Sequence, residues 1–269
     1  MTSHDRGSTS ITGDEGPRSS RSEDHGHHKA RRNRPRKHLP LWQETVLLLG
    51  VALVLAVVIK TFFVQAFYIP SASMEPGLVL NDRILIQKVS YWNDDPERGD
   101  VVVFKDPGGW LPSADDDPPN VVARAMAKIG LYPTGGHLVK RVIGVAGDTI
   151  TCCDNQGRLS VNGQPLDEKG YLKPGAECAG PMVYQCRKDW TVGPIPEGHV
   201  FVMGDNRANS SDSSARLCRP DEETECVQGE EFVPVDLVVG RVFVLLWPAD
   251  RFSWTTRPET FEDVPDPTS

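Results

Sequence analysis

The feature that most constrains this chain is a run from Val46 to Ile59, VLLLGVALVLAVVI, in which every residue is apolar or glycine. After Lys60 and Thr61 it continues as Phe62, Phe63 and Val64, making 19 positions. At a helical rise of about 1.5 Å per residue these reach about 28 Å, close to the hydrocarbon thickness of a bilayer. The run has no polar face and is longer than a core helix usually is, so a membrane is the solvent it fits. A transmembrane helix over residues 41–66 is predicted. A cleavable secretory signal is the competing reading, because Val64 and Ala66 satisfy a small-residue cleavage rule. A leader of 40 residues and an apolar core of this length are both too long for that class.

Charge sets the direction of the span. Arg31, Arg32, Arg34, Arg36 and Lys37 lie just before it, whereas positions 61–80 hold no Lys or Arg. The amino end is therefore expected in the cytoplasm and everything after about Ala66 outside, in a plasma membrane crossed once. Lys60, near the far end, can snorkel to the outer interface beside Phe62, Phe63, Phe67 and Tyr68.

Residues 1–40 carry nine Lys and Arg against five Asp and Glu, a net of +4. With almost no large apolar side chain they cannot bury enough surface to offset their ordering entropy, and disorder is expected. Their charge suits anionic membrane lipid as well as a protein partner. The whole chain is at −8, so the remainder carries −12. Such an acidic body argues against nucleic acid as a partner, since phosphate neutralisation needs clustered Lys and Arg.

All six cysteines fall between 152 and 226 without a CxxC zinc spacing. Beyond a membrane anchor, disulfides in an oxidising compartment fit them better than a metal. The repeated spacing of Cys178 to Cys186 and of Cys218 to Cys226 suggests two local clipped loops. Adjacent Cys152 and Cys153 are not assigned partners by spacing.

The outer part reads as β structure. Short apolar runs at Arg83–Val89, Asp100–Phe104, Leu138–Val145, Thr149–Cys153, Leu159–Val161, His199–Met203 and Leu237–Trp247 are separated by Gly, Pro, Asn and Asp. A mostly β, folded-over antiparallel domain is expected over residues 67–255. A Pro, Gly and Asp-rich insertion at 106–136 contains one helical pattern, Asn120 to Ile129. Residues 256–269 read as a loose polar tail.

Only His137 and His199 are available to a site beyond the span, and neither has motif support for a Ser-His-Asp triad. HExxH, GxSxG, GxxxxGK[ST] and SxxK are all absent. A serine with a lysine base is the remaining nucleophilic option. Pro70-Ser71-Ala72-Ser73-Met74-Glu75-Pro76 holds two hydroxyls two positions apart between prolines, which in extended chain point to one side. In Leu138-Val139-Lys140-Arg141-Val142-Ile143, strand alternation puts Lys140 on a face with Leu138 and Val142. A lysine base needs such desolvation, because at an ordinary pKa near 10.4 its neutral form is scarce at pH 7. An edge-strand lysine with a solvated tip fits the same pattern. Met203 to Ser213 is a strand end followed by a dense polar loop that lacks calcium-loop spacing, so no metal is expected there.

Together with Arg98-Gly99-Asp100-Val101-Val102-Val103-Phe104, these segments resemble the four motifs of the bacterial type I signal peptidases, or leader peptidases, membrane-anchored serine proteases with a Ser-Lys dyad. The motifs occur in family order behind an anchor in the family's place. The resemblance implies Ser73 as nucleophile, Lys140 as general base, and the Ser71 hydroxyl with the Ser73 amide as oxyanion hole. It implies Ser210 orienting the lysine amine, Asp212 bracing the loop, and Ile69, Pro70, Leu138 and Val139 binding an extended preprotein with small residues before the cut. No cofactor or metal is implied, and a monomer is expected.

Two departures stand out: Ala208 replaces a common second Asp, and Ser214 a common Arg, for which Arg216 is a shifted candidate. Two other readings remain open to the sequence. One is a Ser-Lys self-cleaving repressor, disfavoured by the span and by the lack of a DNA-binding helix pair. The other is an anchored β-rich binding protein without catalysis.

Overall fold

The computed structural model describes residues 40–59, 63–91, 94–111, 136–174, 190–218 and 227–267. Of residues 1–40, for which disorder is expected, 1–39 lie outside them, as do the helical pattern from Asn120 to Ile129 and Cys178, Cys186 and Cys226. By internal contacts, residues 46–269 form one compact unit, separate from residues 1–45.

Helix α1, Leu41–Val58, buries none of its side chains and is long and apolar enough to cross a membrane. It is shorter than the helix predicted over 41–66. Val64–Tyr68 is instead strand β1, paired antiparallel with β2, Arg83–Gln87, in the register Ala66↔Leu85. Phe67 and Tyr68 suit a pleated surface, and a strand partner satisfies the same backbone groups that a helix would.

The remaining strands are β3 (Val101–Lys105), β4 (His137–Gly144), β5 (Ile150–Cys152), β6 (Ser160–Val161), β7 (Gln164–Pro165), β8 (Trp190–Val192), β9 (His199–Met203), β10 (Val233–Pro234), β11 (Val238–Trp247) and β12 (Ser253–Trp254). Among the described residues they make an eight-stranded sheet ordered β1-β2-β11-β3-β4-β9-β10, with β12 on β11, and a four-stranded sheet ordered β7-β6-β5-β8. All pairs are antiparallel. The mostly β, antiparallel architecture expected from the apolar runs is present. The two-residue strands β7, β10 and β12 and the three-residue β8 escaped the pattern because they are too short to alternate.

Strand β4 lies inside the large sheet, with Lys140 opposite Val102 of β3 and Arg141 opposite Met203 of β9. Its Leu138 and Val142 pack with Val102, Phe104, Trp110 and Val202. Val139 instead packs against a cluster holding Ile69, Met74, Leu78, Ile84 and Val242. A third cluster fills the small sheet with Ile143, Ile150, Leu159, Val161, Leu166 and Phe201.

The carboxyl end is not a loose tail. Phe261 and Val264 are buried in that third cluster. Arg98 Nη1 and Nη2 donate to the carbonyls of Val264 and Pro265, and Asn162 Nδ2 donates to Pro265 as well. Two apolar residues among many polar ones suffice because each fills a prepared site: the Phe261 ring lies against Gly99, where a Cβ would collide with it. Among the described residues, those from Val64 to Pro267 thus belong to the folded body.

Cys152 and Cys153 form a disulfide with each other, and Cys218 is also disulfide-bonded. Disulfide use agrees with the sequence reading, while the proposed Cys178–Cys186 loop is not among the described residues.

Phe261→Ala is expected to destabilise the folded body by about 3 kcal/mol, as for other aromatic truncations in cores. Urea unfolding of the detergent-solubilised protein checks this, and an unchanged midpoint would return the segment to the status of a tail.

Candidate active site

Ser73 stands in a turn closed at its base, where Ile69 N–H donates to Asp82 O (2.8 Å) and Asn81 N–H to Ile69 O (2.9 Å). Inside this loop, buried Met74 and Leu78 anchor the turn in the core, and the Leu78 amide bonds back to Met74 O. The Asp82 carboxylate accepts from the Val79 amide and pairs with Arg251. A Pro, Ser and Gly-rich segment thereby becomes a fixed platform.

Lys140 reaches that platform from β4. Its side chain lies on the Leu138 and Val142 face, as alternation predicted, and the residue is only 4% exposed, so the solvated-tip reading fails. Nζ lies 2.7 Å from Ser73 Oγ. Desolvation pushes its pKa down to about 8, with the charges of Asp212 and then Asp205 opposing the shift. A buried amine has lost the water that favours its charged form, so the neutral base becomes accessible near physiological pH. Ser71 Oγ lies 3.2 Å from Ser73 Oγ, and Ser71 itself is exposed.

The loop after β9 closes the other side. Asn206 N–H donates to Ser73 O (2.9 Å) and its Nδ2 to Ala72 O (3.0 Å). Asp212 is buried and fully engaged: Oδ2 accepts from Ser210 Oγ (2.5 Å) and Gly204 N–H (2.9 Å), and Oδ1 from Ser214 N–H (3.1 Å) and Oγ (2.6 Å). Ser210 thus gives its proton to Asp212. Between these groups Gly204 has no room for a Cβ, which would strike Ser210 Oγ and Ser73 O.

The departure at 214 is accommodated locally, because Ser214 supplies two donors to Asp212 where an Arg is common. Arg216 does not take that part. Its Nη2 donates to Gly109 O (2.6 Å), with the guanidinium 5.9 Å from the Trp110 ring centroid.

Sequence reasoning missed the ionic support beneath the loop. Arg141, on the opposite face of β4 from Lys140, makes two bonds to Asp205, Nε to Oδ1 (2.8 Å) and Nη2 to Oδ2 (2.7 Å). Its Nη1 donates to Gly99 O, and its guanidinium covers the Tyr171 ring at 4.3 Å. Arg207 is 2% exposed and pairs with Glu168, which also accepts from Tyr171 Oη (2.5 Å). An Arg on an apolar strand face signals a buried partner, but with 37 acidic residues the pattern does not say which.

Ile69, Pro70, Leu138 and Val139 line one cleft of about 240 Å³ with Ser71, Ser73 and Lys140. Met74, Trp110, Leu111, His137, Asn209 and Ser211 complete its walls. Ile69 is almost fully buried, and both of its backbone groups are already bonded to the Asn81-Asp82 turn. It offers the cleft a side chain rather than a free strand edge. Among the described residues no cluster of His, Cys, Asp and Glu could hold a metal ion.

A model of the family described as "Signal peptidase, peptidase S26" matches residues 42–247. Signal peptidase I of Mycobacterium tuberculosis (strain CDC 1551 / Oshkosh) is 40% identical over 235 residues, covering 81% of this chain and 76% of that protein. A probable signal peptidase I of Mycobacterium leprae is 36% identical, covering 81% and 80%. A probable signal peptidase I-2 of Synechocystis is 34% identical, covering 80% and 78%.

Gly204→Ala is expected to push the Ser73 backbone and Ser210 apart and to lower kcat by about 100-fold, the usual penalty for a displacement near 1 Å. Steady-state cleavage assays beside thermal unfolding check it; wild-type turnover would mean the contact yields without consequence.

Proposed function

The chain belongs to the peptidase S26 signal peptidase family, and from that premise we propose that it is a membrane-anchored serine endopeptidase that removes signal peptides from exported preproteins with a Ser-Lys dyad. The observation that carries the reading is the 2.7 Å approach of a desolvated lysine amine to a serine hydroxyl in a cleft. Burying a lysine against a neutral hydroxyl is costly for stability alone, and it is what base catalysis by an amine requires.

In the proposed reaction, neutral Lys140 takes the Ser73 proton as Oγ attacks the carbonyl of the last signal residue. The Ser73 amide and the Ser71 hydroxyl hold the resulting oxyanion. Collapse expels the amino group of the mature chain, which receives the proton from Lys140. Water then attacks the acyl-enzyme and gives one proton to the same amine, collapse expels Ser73 Oγ, which takes that proton back, and the signal peptide leaves as a carboxylate with its remaining proton lost to solvent. Asp212, with Ser210 and Ser214 as its donors, keeps the loop over the amine and tempers the loss of its charge.

The preprotein adds as a strand at β4. Strand β9 pairs with β4 only from Arg141 onward, and among the described residues no other strand covers the 137–140 stretch on that side. Val142 bonds toward Gly99 and Asp100. By alternation Val139 turns its N–H and C=O to the open edge. The cleft is below the ~300–1,000 Å³ of common ligand pockets, in keeping with small side chains before the cut. Helix α1 is the anchor, with residues 1–40 cytoplasmic and the body from 64 onward outside, as the positive residues before the span dictate.

Ser73→Ala and Lys140→Ala are each expected to lower cleavage of a purified signal-bearing precursor on the order of 10,000-fold while remaining folded. Mass spectrometry of the new amino terminus should place the wild-type cut after a small residue. Activity surviving in either variant would overturn the dyad. Because the base must be neutral, kcat/KM should climb with pH through about 8 and level off above it. A profile that falls between pH 6 and 9 would be incompatible with a lysine base. Proline at the substrate position opposite Val139 should abolish cleavage, and tolerance of it would refute strand addition.

A further inference from the structure

The segment that follows β7, residues 166–173, belongs by sequence to the small sheet yet touches both halves of the active site. Lys173 Nζ pairs with Glu75 (2.7 Å), two residues after Ser73, and the Lys173 amide donates to Asp205 O (3.1 Å). Between these contacts and β7 lies Glu168, 5% exposed. Its carboxylate accepts Arg207 Nη1 on Oε2 (3.1 Å), and Arg207 Nη2 and Tyr171 Oη on Oε1. Arg207 in turn donates Nε to Gly204 O (3.0 Å).

Gly204 is the junction of the site: its N–H holds Asp212, its carbonyl is held by Arg207, and its bare Cα leaves room for Ser73 O and Ser210 Oγ. The carboxylate that fixes Arg207 comes from another part of the chain, 39 positions away. We propose that Glu168 is a positioning residue for the Ser-Lys dyad, acting through Arg207 and the Gly204 carbonyl to hold the 204–214 loop in register with Ser73 and Lys140. The proposal deepens the Ser-Lys reading and rests on it.

Charge gives this role a signature that packing alone lacks. The groups around Arg207 are Glu168 and Tyr171 from the 166–173 segment, Arg141 from β4, and Asp212 from its own loop. Lys140 feels Asp212 and Asp205. The Glu168 carboxylate compensates the Arg207 charge on the spot. Glu168→Gln keeps the shape but leaves an uncompensated guanidinium beside the carboxylates that favour protonated Lys140. That change disfavours the ammonium further, so the acid limb of the pH profile moves down. The loosened Gly204 carbonyl lowers turnover more than substrate binding, because neither Gly204 nor Arg207 lines the cleft and the loop gives it only Asn209 and Ser211.

The experiment uses the full chain in detergent with a signal-bearing precursor, comparing wild type, Glu168→Gln, Glu168→Asp and the double variant Glu168→Gln/Arg207→Gln. Kinetics are followed from pH 6 to 10, beside Ser73→Ala. Glu168→Gln should lose about tenfold or more in kcat with KM within about twofold, and its acid limb should fall by about half a pH unit. Glu168→Asp should recover part of both. The double variant buries no unpaired charge and so keeps the fold assessable. It should return the acid limb to the wild-type position without restoring kcat. Wild-type kcat and an unmoved limb in folded Glu168→Gln, or wild-type kcat in the double variant, would overturn the assignment. If Ser73→Ala is inactive beside such a result, the Glu168 role alone falls; if Ser73→Ala cleaves normally, the dyad falls and the Glu168 role with it.

Discussion

A lysine amine held 2.7 Å from a serine hydroxyl and almost sealed from water is the constraint around which the rest of this structure is arranged. An ammonium in that place would lack the hydration that makes its charge tolerable, and a neutral amine still needs a polar neighbour. The protein meets both needs without giving Lys140 a carboxylate of its own. The hydroxyl of Ser73 serves as the neighbour, while Asp212 and Asp205 act at longer range to stop the pKa falling too far. A direct ion pair would have kept the amine protonated and unsuited to the proposed role of base.

That balance depends on carboxylates that are themselves immobilised. Asp212 has four donors and Asp205 two from Arg141, so neither is free to swing onto the amine. Buried ion pairs of this kind contribute little net stability, because desolvating both partners offsets most of their attraction. Their worth here is geometric. Arg141 ties β4 to the loop after β9, and Arg207 ties that loop to the segment after β7, so the loop beside Ser73 and Lys140 is held from two sides.

The apolar runs of the body mapped onto strands well, because turn residues bound each run and the central strands β3, β4 and β9 are buried along most of their length, which leaves them apolar in sequence. Two expectations went wrong for a common reason. Val64 to Ala66 read as the end of an apolar helix, and residues 256–269 as a loose polar tail. In both places a distant partner decides: β2 for the first, and the small-sheet core for Phe261 and Val264. Hydropathy sums report what a segment would prefer alone, and they carry no information about a surface completed by residues far along the chain. The Ser214 departure has the same character, since a hydroxyl two residues from Asp212 proved sufficient where a longer cation had been sought at Arg216.

By itself the sequence determined that one apolar helix precedes an antiparallel β body, that Lys140 shares a face with Leu138 and Val142, and that Ser71 and Ser73 lie two positions apart between prolines that restrict the backbone. Each of these follows from local periodicity or from proline and glycine punctuation, which act within a few residues. Only the tertiary structure decided that Ser73 and Lys140, 67 positions apart, come within hydrogen-bond reach. It also selected, from many acidic residues, Asp205 for Arg141 and Glu168 for Arg207. Pairings of that sort are set by strand register and by the packing of two sheets. A charge on a strand announces that it needs a partner, but the fold supplies the address.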